Sequence, residues 1–290
     1  MTPVADRSLS MLGEQVERLL VCPRCTSRFA VTDGQVVCQN RACGFVGMLA
    51  DDVALFGDRS QLSFFDDRHG VMTSVTTTRS IRCLCYDAQG QLVENLLRPG
   101  QLVLDVGCGP TLPYVKPKDT FVIGLEASFE SIRANHDVDL RVYGTAAELP
   151  LPDQSVDTIL AFYAVHHMTG TTVAQNRRMA VKVFREFGRV VKPGGELLVF
   201  EVSPWRPFWV AEKHLWNAAR AVIGHRLDMF FYSERAYEAL GRAAIPEAEF
   251  STQRFGTSML SLFPPAFSLP WLQIPRFLYP FAVNLYRWRF

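Results

Sequence analysis

Four cysteines, Cys22, Cys25, Cys38 and Cys43, fall into two pairs, with two residues inside the first pair, four inside the second and twelve between them. Thiolates grouped this way grip one tetrahedral zinc ion, and because four ligands close its sphere the ion is structural. A second kind of chemistry is written in Leu102-Val103-Leu104-Asp105-Val106-Gly107-Cys108-Gly109-Pro110, an apolar strand running straight into a glycine-rich turn. Such a turn lets backbone pass close beside a bound nucleoside. About twenty residues on, Phe121-Val122-Ile123-Gly124-Leu125-Glu126 ends in an acid that can accept both hydroxyls of a ribose. A third element is His166-His167, whose imidazoles titrate near neutrality and could take a proton from a hydroxyl or an acidic carbon.

These groups need elements to hold them. Ser8 to Leu20 carries apolar residues at helical spacing. From Val21 to Phe56 the text is short and β-prone, with a hairpin signal at Asp33-Gly34, and is too small to be held together by burial alone. Residues 57–78 are polar and read as linker, and Arg79 to Leu97 reads as helix with a break near Gly90. Strands then alternate with helices: LVLDV, VIGLE, a helix from Phe129, LRVYG, TILAFY, a helix across Ala174 to Val191, and ELLVFEV. That order predicts an α/β fold, a Rossmann-like, mostly parallel seven-stranded sheet with helices on both faces, carrying a small N-terminal zinc ribbon. A further helix near 209–223, an antiparallel pair near 247–262 and an aromatic tail follow. Pro113 and Pro117 leave room for only a short helix between the first two sheet strands, and Asp157 reads as a structural cap. The expected division is 1–56 ribbon with lead-in helix, 57–98 linker and helical cover, and 99–290 catalytic domain, with residues 251–290 as lid or interface.

The LDVGCG turn, the acid at Glu126, and the runs LPLPDQSVDTILAFYAVHHM and RVVKPGGELLVFE together resemble the class I S-adenosylmethionine-dependent methyltransferases, over roughly Leu97 to Ser203. The resemblance implies S-adenosylmethionine as cofactor. It sets Asp105, Gly107, Cys108 and Gly109 at the methionine and ribose side, Glu126 at the ribose diol, and Ala127, Thr145 and Ala146 at the adenine. It also turns Tyr163 to His167 toward the transferable methyl, making Tyr163, His166 and His167 the candidate catalytic residues, with His166 slightly ahead as base. Two departures stand out: Thr111 replaces a third glycine, and Thr145-Ala146 replaces Asp-Ala. Trp205 and Trp209, with His69 and Tyr86, are expected to close an acceptor pocket suited to an apolar or planar molecule. The ribbon resembles those preceding methyltransferase domains in a bacterial ribosomal-RNA guanine methyltransferase, which has a histidine where this chain has Cys43.

The chain has 290 residues with 30 Lys and Arg against 29 Asp and Glu, so net charge supplies no long-range pull toward a polyanion. A nucleic-acid partner is therefore disfavoured, and the expected substrate is a small, rather apolar acceptor (lipid-like, quinone-like or a secondary metabolite) methylated at oxygen or carbon. No secretory signal or long apolar run is read in the sequence, which predicts a cytoplasmic protein. The tail after Glu249 has no acid but alternates Arg254, Arg276, Arg287 and Arg289 with aromatics, and reads as a membrane-interface, lid or homodimer surface. Two rival readings are an rRNA or tRNA base methyltransferase that grips RNA through its ribbon, and a non-catalytic scaffold on a degenerate methyltransferase fold.

Overall fold

The computed structural model describes residues 4–57, 85–224, 227–256, 262–263, 274–278 and 280–290. Helix α1 (Val4–Leu19) leads into four short strands, β1 (Phe29–Thr32), β2 (Gln35–Cys38), β3 (Val46–Ala50) and β4 (Val53–Leu55). Helix α2 (Cys85–Leu96) precedes the alternating region: β5 (Leu102–Val106), β6 (Phe121–Glu126), α3 (Phe129–Ala134), β7 (Leu140–Tyr143), β8 (Val156–Phe162), α4 (Val173–Val190) and β9 (Val191–Pro204). Then come α5 (Arg206–Ile223), α6 (Glu234–Ala244), β10 (Glu249–Arg254), a two-residue pair β11 (Leu262–Phe263) with β12 (Ile274–Pro275), and β13 (Phe281–Arg289).

Among the described residues the main sheet has eleven strands in the order β1-β2-β3-β4-β7-β6-β5-β8-β9-β13-β10. Seven of these, β7 through β10 in that order, make the expected α/β sheet, and five of the seven are parallel. The other four come from residues 29–55, because β4 pairs in parallel with β7 (Ala54 beside Val142, Leu55 beside Tyr143). A bare β7 would present unpaired N–H and C=O groups; β4 satisfies them and passes the edge outward to the short strand β1.

Alternation along each strand sorts side chains into two cores. Leu104, Ile123, Ile159 and Leu197 face one way, toward α1, α4 and α6, while Val103, Val122, Leu160 and Leu198 face the other, toward α2 and α3. Leu12, Val16 and Leu20, at helical spacing, enter the first core beside Phe29, Val36, Leu49, Leu149 and Leu151, so the ribbon and the large sheet share one interior. Thr172 and Ser233 cap α4 and α6 by accepting from Gln175 N and Ala236 N at 3.2 and 3.3 Å.

Three local expectations are corrected. Helix α2 runs unbroken through Gly90, where the bare Cα lets the helix lie against Pro113; a Cβ there would stand 2.1 Å from the Pro113 carbonyl oxygen. Residues 107–120 form no helix at all between β5 and β6. The partner of β10 is β13, across Glu249 to Arg289, rather than a neighbouring hairpin strand.

The same pairing carries the end of the tail into the interior. β13 lies between β9 and β10, with Tyr286 and Trp288 buried and Arg287 paired with Glu196. Trp288 packs edge-on to Phe184 and against Phe250. Trp288→Ala should therefore cost about 3–5 kcal/mol, read as a lower urea midpoint at unchanged slope; a midpoint within error of the native protein would contradict this packing.

Candidate active site and candidate metal centre

At the carboxyl ends of β5, β6 and β8 three turns converge. Gly107 has φ of 68°, a conformation few side chains tolerate, and its N–H donates to Leu125 O at 2.7 Å. A Cβ on Gly107 would stand 2.5 Å from Ala164 Cβ, so the turn after β5 and the turn after β8 touch only because that position is glycine.

Glu126 closes the second side. Its Oε2 accepts from Gly109 N (2.9 Å), and its Oε1 accepts from Ala127 N (2.7 Å) and Ser128 N (3.0 Å). Hydrogen bonds to a charged acceptor contribute on the order of 1.5–3 kcal/mol each, so this one carboxylate ties the glycine turn to the start of α3. Asn135, fully buried, holds the turn from behind by donating to Gly109 O at 2.8 Å. Asp137 accepts from Thr111 Oγ1 and Leu112 N, which explains why threonine suits that position.

Asp105 is 1% exposed, and its Oδ2 accepts from Tyr114 Oη at 2.8 Å. Burial pushes its carboxyl up to about 7, the Tyr114 hydrogen bond opposes this, and the charge on Glu126 adds to it. Among the described residues Oδ1 has no hydrogen-bond partner. Cys108 is buried, with its sulfur against Gly124, where an added Cβ would meet it at 2.9 Å; only its backbone is left for a ligand. Ala127 is half-buried, Ala146 is buried, and Thr145 is exposed with its Oγ1 accepting from Ala147 N at 3.2 Å. Asp157 lies outside the site, receiving Leu102 N and Lys192 Nζ.

The turn after β8 is strained: Tyr163 has φ of 50°, unusual for an aromatic residue. Its hydroxyl accepts from Gln89 Nε2 of α2 at 2.8 Å. His166, 4% exposed, sets Nδ1 between both oxygens of Glu201 at 3.0 and 2.9 Å. His167 sets Nδ1 at 2.9 Å from Asp228 O. Burial and the neighbouring His166 pull the His167 ring down to about 3, so it stays neutral. The structure thus gathers Asp105, Gly107, Gly109, Glu126 and Tyr163 to His167 at one edge of the sheet. Trp205 is 43% exposed at the start of α5, and Trp209 is half-buried beneath Lys213 Nζ. His69 and the Tyr86 side chain lie outside the described residues.

Sequence reading missed Gln89, Tyr114, Asn135 and Glu201. A lone acid in the apolar run LLVFEV was a usable signal for Glu201; nothing local marks the other three.

At the other end, Cys22, Cys25, Cys38 and Cys43 bring their sulfurs within 4.8 Å of one another. Cys22 and Cys43 are 3.7 Å apart, Cys25 and Cys38 3.4 Å. Zinc–sulfur bonds of about 2.3 Å at tetrahedral angles put sulfurs about 3.8 Å apart, so the cluster can hold such an ion. Turns from Cys22 to Thr26 and Asn40 to Cys43 present the thiols, closed by Thr26 N to Cys22 O (2.8 Å) and Cys43 N to Asn40 O (2.9 Å).

A mostly parallel sheet with a glycine turn after its first strand, an acid ending the second and a histidine turn after the fourth is an arrangement that can seat a nucleoside at the carboxyl ends of its strands. Residues 104–199 match the family model of the methyltransferase domain. The chain is 33% identical over 155 residues to 27-O-demethylrifamycin SV methyltransferase of Amycolatopsis mediterranei, covering 49% of this chain and 51% of that protein. It is 34% identical over 121 residues to the ubiquinone/menaquinone biosynthesis C-methyltransferase UbiE of Rubrivivax gelatinosus, covering 38% and 44%. Among solved structures the cyclase SpnF superposes with a TM-score of 0.54 at 17% identity, covering 80% of this chain and 95% of that one. Through residues 104–199 the chain is similar to the methyltransferase domain family, and these relatives support a class I S-adenosylmethionine-dependent methyltransferase. The chain spans about half the length of the curated relatives it matches.

The raised Asp105 carboxyl has a measurable sign. Its folded-state pKa, about 7, lies above the usual value near 4, so its contribution to stability is full below about pH 4 and is lost as pH rises through 7. Asp105→Asn has no charge to bury; its melting temperature relative to the native chain should rise from pH 5 to pH 8, and a flat difference would refute the shift.

Proposed function

We propose that the protein transfers the methyl group of S-adenosylmethionine to oxygen or carbon of a small, rather apolar acceptor of lipid-like, quinone-like or secondary-metabolite type. The observation that carries this is the contact between Gly107 and Ala164, which sets the glycine turn against the turn bearing His166. A sulfonium methyl needs an aligned nucleophile and little water, so positioning supplies most of the effect. When bound, the cofactor supplies the electrophilic methyl. Glu126 would receive the ribose diol while keeping its three backbone donors; Gly107 and Gly109 would leave room for the sugar, and the unpartnered Asp105 Oδ1 would answer a donor from the amino-acid end. Ala127, Thr145 and Ala146 would border the adenine, and Tyr163 and His166 would face the acceptor. The rifamycin and quinone methyltransferases named above support an apolar acceptor.

Arg24, Arg28 and Arg41 are exposed on the ribbon, but Arg24 lies over the Phe45 ring and the whole chain is near neutral, which weighs against RNA. No helix among the described residues is long and apolar enough to cross a membrane. A contact with a membrane surface or a second copy would draw on exposed Phe208, Leu215, Val222, Phe277 and Leu278, because Tyr286 and Trp288 are interior.

Calorimetric titration with S-adenosylhomocysteine should give one site per chain, weakened at least tenfold by Glu126→Ala. No heat at millimolar ligand would favour a scaffold. Supplied with radiolabelled S-adenosylmethionine and a panel of quinols, phenols, fatty acids, tRNA and rRNA, the protein should label an organic-extractable product; label in RNA alone would overturn the apolar acceptor.

We also infer that the four cysteines hold one structural zinc ion. Elemental analysis should find about one zinc per chain. Because β4 pairs with β7 and Val21 N donates to Pro150 O, a chelator should lower the melting temperature of the whole chain rather than of the ribbon alone. A metal-free preparation with native stability would contradict the assignment.

A further inference from the structure

We propose that Glu201 is a positioning residue that fixes the proton of His166 on Nδ1, leaving Nε2 as the proton acceptor for the substrate. This rests on the reading of His166 as the group facing the acceptor. Glu201 is fully buried in β9, opposite Asn284 of β13. A carboxylate in an apolar strand is costly to bury and gains little from it unless paired. Both its oxygens converge on one atom, His166 Nδ1, while Oε1 also accepts His166 N at 3.2 Å and Oε2 accepts Val202 N at 3.3 Å. An ionised carboxylate can only accept, so Nδ1 must carry hydrogen and Nε2 a lone pair. No described residue hydrogen-bonds Nε2, and the ring packs against Phe231, stacked at 5.0 Å, and His167, tilted at 4.2 Å.

The same geometry separates the two histidines. His167 gives its Nδ1 hydrogen to the neutral Asp228 carbonyl, while burial and the neighbouring His166 disfavour its charged form. His166 has a buried carboxylate behind it to offset the imidazolium that proton abstraction creates. In the step itself the acceptor's O–H or C–H proton passes to Nε2, the acceptor's electron pair forms the bond to methyl, and the methyl–sulfur bond breaks with its electrons left on a neutral thioether. The positive charge lost by sulfur reappears on His166, beside Glu201.

Long-range proton–nitrogen NMR on nitrogen-15-labelled protein with S-adenosylhomocysteine reads the tautomer without needing the acceptor. Native His166 should show protonated Nδ1 and bare Nε2; a proton on Nε2 would overturn the proposal without any variant. In Glu201→Gln and Glu201→Ala, His166 should shift toward the Nε2-protonated form while His167 keeps its state and S-adenosylhomocysteine affinity stays within about twofold. Retention of the native tautomer in both would overturn the role of Glu201. With an acceptor from the panel above, Glu201→Gln and His166→Ala should each lower kcat at least tenfold at nearly constant KM for S-adenosylmethionine. A native tautomer set by Glu201, together with unchanged turnover in His166→Ala, would instead defeat the general-base reading while leaving the dyad geometry standing.

Discussion

The lack of a side chain at Gly107 allows the turn after β5 to lie against Ala164, and the arrangement of the site depends on that contact. It fixes the distance between the segment that would carry a nucleoside and the segment that carries the histidines. Glu126 then prevents the glycine turn from relaxing away, because three backbone N–H groups converge on its carboxylate. A methyl transfer that relies on alignment needs this kind of rigidity more than it needs an array of reactive groups.

Rigidity at that edge extends outward through the sheet. The ribbon is too small to be stable on burial alone, and a tetrahedral metal site would close one end of it. Its other end is joined to the larger sheet by β4 beside β7 and by a core in which Val16, Phe29 and Leu49 pack with Leu149 and Leu151. The loop after β7 carries Thr145 and Ala146 and leads to Leu149 and Leu151, which pack with the ribbon. The small module works as the outer wall of the large one.

Among the described residues two carboxylates are buried, and they are handled differently. Asp105 meets one phenol and leaves an oxygen unpartnered, and burial raises its carboxyl toward neutrality. Glu201 meets an imidazole and two backbone donors. The strained Tyr163 lies between them in the chain.

Much of this was legible in the residues. Alternating apolar strands and helical runs specified the parallel sheet, because side-chain period reports which faces are buried. Cysteine spacing specified the four-sulfur cluster, and the LDVGCG turn with Glu126 specified the glycine turn and the carboxylate that closes it, because each signal lies within about twenty residues of chain. What only the tertiary structure decided is long-range: that β4 would pair with β7 and enlarge seven strands to eleven, that Gly90 would sit inside a helix against Pro113, that the aromatic tail would end as an interior strand, and that Glu201 would stand behind His166 rather than His167. Each joins residues distant in the chain, and no local pattern records which surface a segment will meet once the sheet has closed around it.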